Sequence, residues 1–336
     1  MHYKFVLFIA FLYTFFPLSA SCQDVNELHE TGKNYMHQGD YANASLVLIK
    51  ALQESPQNIE ISKDLALAYY FQKEYSKALG IIKPLIDGSG VDEGSIQLAA
   101  NIYRAQNDLK EAEKIYKKGV KMFNSSGPLY NDYGETLWSH GDINAIKQWE
   151  KGIEKDPQFS GNYYNAARYY YFSTDKLWSI IYGEIFLNLE TFSSRTAEMK
   201  GIMLENYRKL FVDPGYFKLY QDKNQFEKAY LGAIGKQAEI AEIGISPSSL
   251  TMIRTRFILE WFQQNPTKLT FNLFYLHRKL LAEGLFEAYN QWIFGVAQNL
   301  TDYQNWINIH PIEYNEFNKL QKSTIFKPIA SQFYHK

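Results

Sequence analysis

The stretch "HQGDYANASLVLIKALQESP", His37 to Pro56, decides the fold. It reads as a turn, a helix and a stop. Gly39 tolerates the left-handed backbone that ends one helix, and Asp40 carries the short carboxylate that caps the next. Tyr41, Ala44, Leu48 and Ala51 then recur at helical spacing until Ser55-Pro56 breaks the pattern. The turn returns 34 residues on as Lys73-Glu74-Tyr75, and after the same interval as Asn107-Asp108-Leu109. Ala44 becomes Ala78 and Ala112, and Leu48 becomes Ile82 and Tyr116. Upstream, Gly32 with Tyr35 becomes Ala66 with Tyr69, then Ala100 with Tyr103.

A fourth copy carries Tyr130, Tyr133-Gly134, Gly141-Asp142-Ile143, Ala145, Trp149 and Asp156-Pro157, with a turn one residue shorter. A weaker fifth starts near Ser160 with Tyr163, Ala166-Ala167 and Tyr170; its second helix, "DKLWSIIYGEIFLNLE", is assigned by position alone. Such a period, with a small residue, an aromatic three on and then alanine before a large residue, resembles the tetratricopeptide (TPR) family from Val25 onward. Departures are Thr31, Ser62, and Gly90 and Asn124 where the family's last position is proline; Pro84 should kink or shorten its helix.

The resemblance implies an all-α fold, a right-handed solenoid of antiparallel helix pairs. Its small residues let paired helices approach, and Leu48, Ile82, Tyr116 and Trp149 fill the space beyond. The organisation expected is a signal peptide at 1–22, then a solenoid at 23–190 with repeats from 25, 59, 93, 127 and a degenerate fifth from 160. A helical C-terminal region at 191–336 comes next, with a degenerate repeat-like pair at 270–300. There Met199, Ile202, Met203 and Tyr207 share a face, Ser246-Pro247 opens a helix, and His310-Pro311 opens another.

Composition narrows the function. The chain has 336 residues, 46% of them apolar and 21% charged, enough for a large core. Lys and Arg number 35 against 36 Asp and Glu, so no basic excess favours nucleic acid. Aromatics reach 16%, which reads first as bulky core filling. Lys4, the apolar run Phe5 to Phe16 and the small residues Ser19 to Ser21 form a secretory signal, too short to span a bilayer. Cys22 is the lone cysteine, so no intrachain disulfide exists. "PLSASC" resembles a lipobox with Ser19 where an aliphatic residue belongs. Cleavage near Ala20 to Gln23 is the main expectation, with lipidation of Cys22 the alternative. The mature chain is therefore expected in the periplasm or outer envelope.

Catalytic signatures are missing from the sequence: no P-loop, GxSxG, GxGxxG or metal-ligand spacing. No enzyme activity, metal or cofactor is expected. "LHRK" at 276–279 reads as a solvated face, and His29 and His37 as neutral surface histidines. In the TPR family the first helix of each pair lines a concave groove, which carries over onto this chain residue by residue. Repeat one offers His29, Lys33 and Met36; repeat two, Lys63, Leu67 and Tyr70. Repeat three offers Gln97, Asn101 and Arg104; repeat four, Asn131, Glu135 and Trp138; repeat five, Tyr164, Arg168 and Tyr171. Lys and Asn one turn apart, wanted in repeat one by chaperone-binding relatives, are replaced by His29 and Lys33. The resemblance thus implies a non-catalytic module that grips a peptide or protein segment, with Trp138 and Tyr171 as anchors. The bland reading is a half-exposed packed face. Two rivals are a glycan binder that stacks sugars on Tyr and Trp, and an enzyme whose site lies in 191–336.

Overall fold

The computed structural model describes residues 24–212, 217, 223–265 and 268–335. Residues 1–22, expected to be a signal peptide, with Cys22 among them, lie outside the described residues. Every regular element among the described residues is helical, as the repeat pattern requires. None of these helices is long and apolar enough to cross a membrane. The chain divides into two compact units, residues 1–90 and 91–336.

The first unit is two helix pairs: α1 (Val25–His37) with α2 (Tyr41–Glu54), and α3 (Ile59–Phe71) with α4 (Tyr75–Asp87). Asp24, Asp40 and Asn58 accept backbone N–H bonds at the starts of α1, α2 and α3. Between α1 and α2, Gly39 adopts φ +76°. Its N–H reaches the Met36 carbonyl at 3.0 Å, and the Asp40 N–H reaches that of Tyr35 at 2.9 Å. That is the left-handed helix ending glycine favours. Between α3 and α4 the same bonds form around Lys73 at φ 62°, a side chain in a conformation that suits glycine. Gly32 shows why small residues recur. A Cβ there would lie 2.7 Å from Leu48 Cδ2, so only a bare backbone lets α1 meet α2 this closely. Pro84 does not shorten α4, which runs to Asp87. It faces solvent, as does Gly80, whose carbonyl it leaves without an intrahelical partner.

The second unit begins with three pairs: α5 (Glu93–Ala105) and α6 (Leu109–Met122), α7 (Gly127–Ser139) and α8 (Ala145–Lys155), α9 (Ser160–Phe172) and α10 (Lys176–Leu189). Asn107 at φ 62° and Gly141 at φ 81° occupy the turn position of Gly39. A Cβ on Gly134 would come within 2.6 Å of Trp149 Cδ1, which repeats the Gly32–Leu48 contact with a larger partner. Ala66 and Ala100, at the same place in their helices, are completely buried. α10 is buried on every face from Leu177 to Leu187. Its all-round apolarity matches that burial, which explains why the repeat's alanine is dispensable there.

α11 (Arg195–Val212) covers α10, with Met199, Ile202, Met203 and Tyr207 buried. Gly183 admits the sulfurs of Met199 and Met203. Then come α12 (Gln225–Gly235), α13 (Ala238–Ala241), α14 (Pro247–Gln264), α15 (Asn272–Ala282) and α16 (Phe286–Asn290). α16 passes through a π turn at Gln291–Gly295 into α17 (Val296–Gln298), succeeded by α18 (Leu300–Ile309) and α19 (Pro311–Ser323). Ser246 caps α14 ahead of Pro247, and α19 starts after His310. The turn between α15 and α16 has Gly284 at φ +71°, and the Leu285 N–H bonds the Leu280 carbonyl at 2.8 Å, the geometry of the repeat turns.

These C-terminal helices close around a buried charged cluster. Glu184 of α10 accepts from the Tyr289 hydroxyl of α16 at 2.8 Å and pairs with His277 Nε2 of α15 at 2.8 Å. Arg254 of α14 bonds the same carboxylate and the Asn290 amide oxygen. Rings of Phe286, Tyr289 and Phe294 pack around its guanidinium at 5.3 to 5.5 Å. The sequence expectation of a solvated face at 276–279 therefore fails at His277, which is buried; Arg278, exposed over the Phe262 ring at 4.2 Å, does fit it. α15 turns His277 inward because Glu184, 93 residues away, supplies a carboxylate there. Burial opposes the Glu184 charge, yet Arg254 and His277 hold its carboxyl down at about 2. Burial, reinforced by Arg254, pushes the His277 imidazole below its ordinary value, although Glu184 opposes this.

These contacts set the response to substitution. Lys73→Gly should raise unfolding free energy in urea by about 0.5–1 kcal/mol, since it relieves a left-handed lysine. Gly134→Ala should lower it by about 1–3 kcal/mol by forcing Trp149 off its position. Arg254→Met, which strands the Glu184 charge, should cost about 3–5 kcal/mol, and adding Glu184→Gln should recover much of it. The pH slope has a defined sign. The unfolded chain protonates His277 near 6.5 while the folded chain resists, so stability falls as pH drops through that value. His277→Gln should flatten that slope in unfolding curves taken from pH 8 to 5.

Candidate functional site

The expected groove residues lie on α1, α3, α5, α7 and α9, and many are occupied by one another. In the first unit His29 Nε2 meets Asp64 Oδ2 at 2.7 Å, linking α1 to α3, so His29 is not a free surface histidine. Lys33 and Lys63 each pair with the glutamate three residues earlier, Glu30 at 2.7 Å and Glu60 at 2.6 Å. Both pairs run along one helix near its surface, where such contacts are weak. Tyr70 rests edge-on against Phe71 at 5.4 Å.

In the second unit the first helices are bonded to one another in register. Gln97 Nε2 of α5 donates to Asp132 Oδ2 of α7 at 2.9 Å. Asn131 of α7 accepts from Asn165 Nδ2 of α9 at 2.9 Å. Tyr164 of α9 donates to Glu198 of α11, whose other oxygen takes Arg168 Nε at 3.0 Å. Asn101 accepts from Tyr116 at 2.9 Å and from Arg104 at 3.3 Å, and Arg104 also faces Glu135 at 3.9 Å. The partners on successive first helices sit about one repeat apart in sequence because those helices stack one repeat apart in space. Asn131 and Tyr164 are buried, and their polar atoms serve the stack.

The part of the stripe open to a partner is narrower than the sequence indicates. Trp138 is 42% exposed, edge-on to Tyr169 at 5.6 Å and braced by Trp149 at 6.1 Å. Arg104 and Arg168 are half-buried beside Glu135 and Glu198. Tyr171 is half-buried, with Lys209 Nζ of α11 over its ring at 4.2 Å and the Lys176 ammonium bonded to its carbonyl at 2.7 Å. Burial shifts several groups here. It raises the Asp132 carboxyl, and with the bond to Glu198 it pushes the Tyr164 hydroxyl up to about 12. Tyr164 thus stays a donor at any ordinary pH. The Lys176 ammonium is lowered by burial and then by Lys209.

Residues outside the groove stripe complete the picture, and the sequence carried no signal for them. Glu184, Arg254, His277 and Tyr289 lie far apart in the chain. Their arrangement ties helices together, since Arg254, His277 and Tyr289 all bond one oxygen of the buried Glu184 carboxylate. Among the described residues no group of three His, Cys, Asp or Glu is disposed to hold a metal ion. The tail after α19 folds back over α8, α10 and α12. Gln158 Nε2 donates to the Pro328 carbonyl at 3.0 Å, Asn224 Nδ2 to that of Tyr334 at 2.8 Å, and His335 meets Glu150 at 2.7 Å. Tyr334 stacks on Phe226 at 4.5 Å.

Comparison with known proteins places the repeats. The tetratricopeptide repeat family profile matches residues 35–88. No curated protein sequence matches the chain. Among solved structures, MamA is 18% identical, covering 50% of this chain and 92% of its own, with a TM-score of 0.41. A thermophilic TPR protein of Thermus thermophilus is 16% identical over 54% of this chain and 99% of its own, at 0.44. A tetratricopeptide repeat protein of Parabacteroides merdae is 14% identical over 71% and 91%, at 0.42. The period of 34, the bare-backbone contacts at Gly32 and Gly134 and the matched profile have one meaning: this chain carries tetratricopeptide repeats.

Proposed function

We propose that the chain is an exported, non-catalytic interaction module that seats an extended peptide or protein segment on the first-helix face of its second unit. TPR folds serve as protein–protein interaction or scaffold modules, which is the coarse basis of the reading. The observation that carries the finer part is the registered stripe across α5, α7, α9 and α11. Its helices are pinned to one another by side-chain bonds, and Trp138 projects from it with two rings behind it. A braced, half-exposed tryptophan suits an anchor, because little rotamer freedom is lost on binding. The polar ladder gives the floor amides and carboxylates, two of the latter facing arginines, which favours a peptide backbone over an anionic polymer. The signal-like segment at 1–22 supports placement in the periplasm or outer envelope, with the partner there.

Capture from envelope extract by the mature chain, with quantification of each co-purifying protein, tests both parts. Trp138→Ala should lower recovery of the specific partner at least about tenfold, and Arg104→Glu should weaken it further. Added oligosaccharides should not compete. Retention unaffected by both substitutions, or sugar-dependent quenching of Trp138, would remove the reading. N-terminal sequencing of chain recovered from the envelope should begin between Ala20 and Gln23; recovery of the full-length chain in the cytosol would contradict export.

A further inference from the structure

The C-terminal tail, residues 324–335, is held by its own chain in the way a bound peptide is held. It is irregular apart from one turn at Ala330–Gln332, and of its residues only Pro328 is buried. The face beneath it lies within the second unit and draws on other residues than the first-helix stripe. Ile153 of α8, Trp178, Ile181 and Tyr182 of α10, and Phe271 ahead of α15 form it, with Phe226 of α12 under Tyr334. Tail and face fit closely, leaving about 20 Å³ between them.

Two kinds of contact secure the tail. The first reads backbone. Gln158 Nε2, Asn272 Nδ2 and Asn224 Nδ2 donate to the carbonyls of Pro328, Lys327 and Tyr334 at 3.0, 2.8 and 2.8 Å. Asn224 is fixed for this, because its Oδ1 caps α12 by accepting from the Glu227 N–H at 3.0 Å. The second kind reads side chains. The Asn272 backbone N–H donates to Gln332 Oε1 at 2.8 Å, and Gln332 Nε2 donates to Asn272 Oδ1 at 3.2 Å. That N–H belongs to the first turn of α15, which has no partner for it within the helix, so a carboxamide from the tail completes the helix start. Tyr334 stacks on Phe226 and its hydroxyl donates to the Thr270 carbonyl at 2.8 Å. His335 reaches Glu150 at 2.7 Å and lies edge-on to Trp178 at 4.8 Å.

The tail is attached at one end only, after α19, and its outer side is open, with Ile325 78% and Ile329 47% exposed. It can therefore leave without unravelling a helix. The amides that grip it bond main-chain carbonyls, which every extended segment carries. What favours the tail over another segment is its tether, which gives it an effective concentration of roughly millimolar.

We propose that the tail is the resident ligand of a second peptide site, and that a partner's extended segment exchanges with it. The segment that fits carries proline and, four and six residues on, glutamine and tyrosine. The backbone grip supplies affinity for an extended chain, and the Gln332 and Tyr334 contacts select the pattern. This site stands or falls apart from the Trp138 stripe, since its exchange is read without that stripe's partner.

Anisotropy titration of the full chain with a fluorescein-labelled peptide copying residues 324–336 tests the proposal. Gln332→Ala, Tyr334→Ala and His335→Ala made together in the chain disable the tail and leave the face intact, so the peptide should bind at least about tenfold tighter than to wild type. Asn272→Ala added to that variant should abolish the gain. A peptide carrying Gln332→Ala should bind about tenfold more weakly, for two lost hydrogen bonds. A second measurement needs no weakened tail. In a chain with Cys22→Ser and Ser331→Cys, a dye on this exposed tail position should lose anisotropy when unlabelled peptide is added in millimolar excess. No tightening in a folded tail variant, indifference to Gln332→Ala in the peptide, or a dye signal that excess peptide leaves unchanged would overturn the proposal. So would a concentration-dependent dimer of the wild type, because the occupant would then be a second copy.

Discussion

Everything in the repeats depends on how closely the two helices of a pair can approach. A bare backbone at Gly32 lies where any Cβ would strike Leu48, and Gly134 stands in the same relation to Trp149. The large partner then fills the room that the missing side chain opens, and the pair becomes a close-packed wedge. A single wedge leaves one apolar face uncovered, so each pair needs the next. This is why the sequence repeats the same small-and-large couple rather than a general hydrophobic pattern. Alanine in the place of glycine, at Ala66 and Ala100, changes the tightness of the wedge without changing its logic.

That constraint also explains which parts of the fold were legible in the sequence. Short-range signals could be read: the Gly39 turn, the Asp40 cap, the Gly32–Leu48 spacing, the Ser246-Pro247 start of α14. Each is set by neighbours within a few residues or by the period itself. The turn geometry even survives where its residue type does not, at Lys73 and Asn107, because the flanking helices impose it. Glycine there is a preference of the backbone, and the packed pair can override it.

The site was less legible, for a physical reason. The first-helix stripe could be named, but not which of its members would be consumed by the stack. Asn131 and Tyr164 sit at groove positions by spacing, yet Asn165 and Glu198 on the next helices claim them. Such pairing depends on the distance between helices, which the period does not encode. Trp138 stays open because its position near the end of α7 puts it beside Tyr169 rather than beneath a neighbour's polar group.

The C-terminal helices obey a different rule. They lack a repeat to hold them in series, and a buried charge set takes that place. A guanidinium removed from water is tolerable only where a carboxylate and ring faces meet it together. Arg254, His277 and Tyr289 all converge on the Glu184 carboxylate, which favours one register for four helices from distant parts of the chain. Apolar packing alone would allow helices to slide, since one aliphatic contact resembles another. Glu184 belongs to the last repeat and its three partners to the region beyond. The same carboxylate therefore terminates the repeat stack and orients the helices after it, which is how a periodic fold hands over to an aperiodic one without a separate linker.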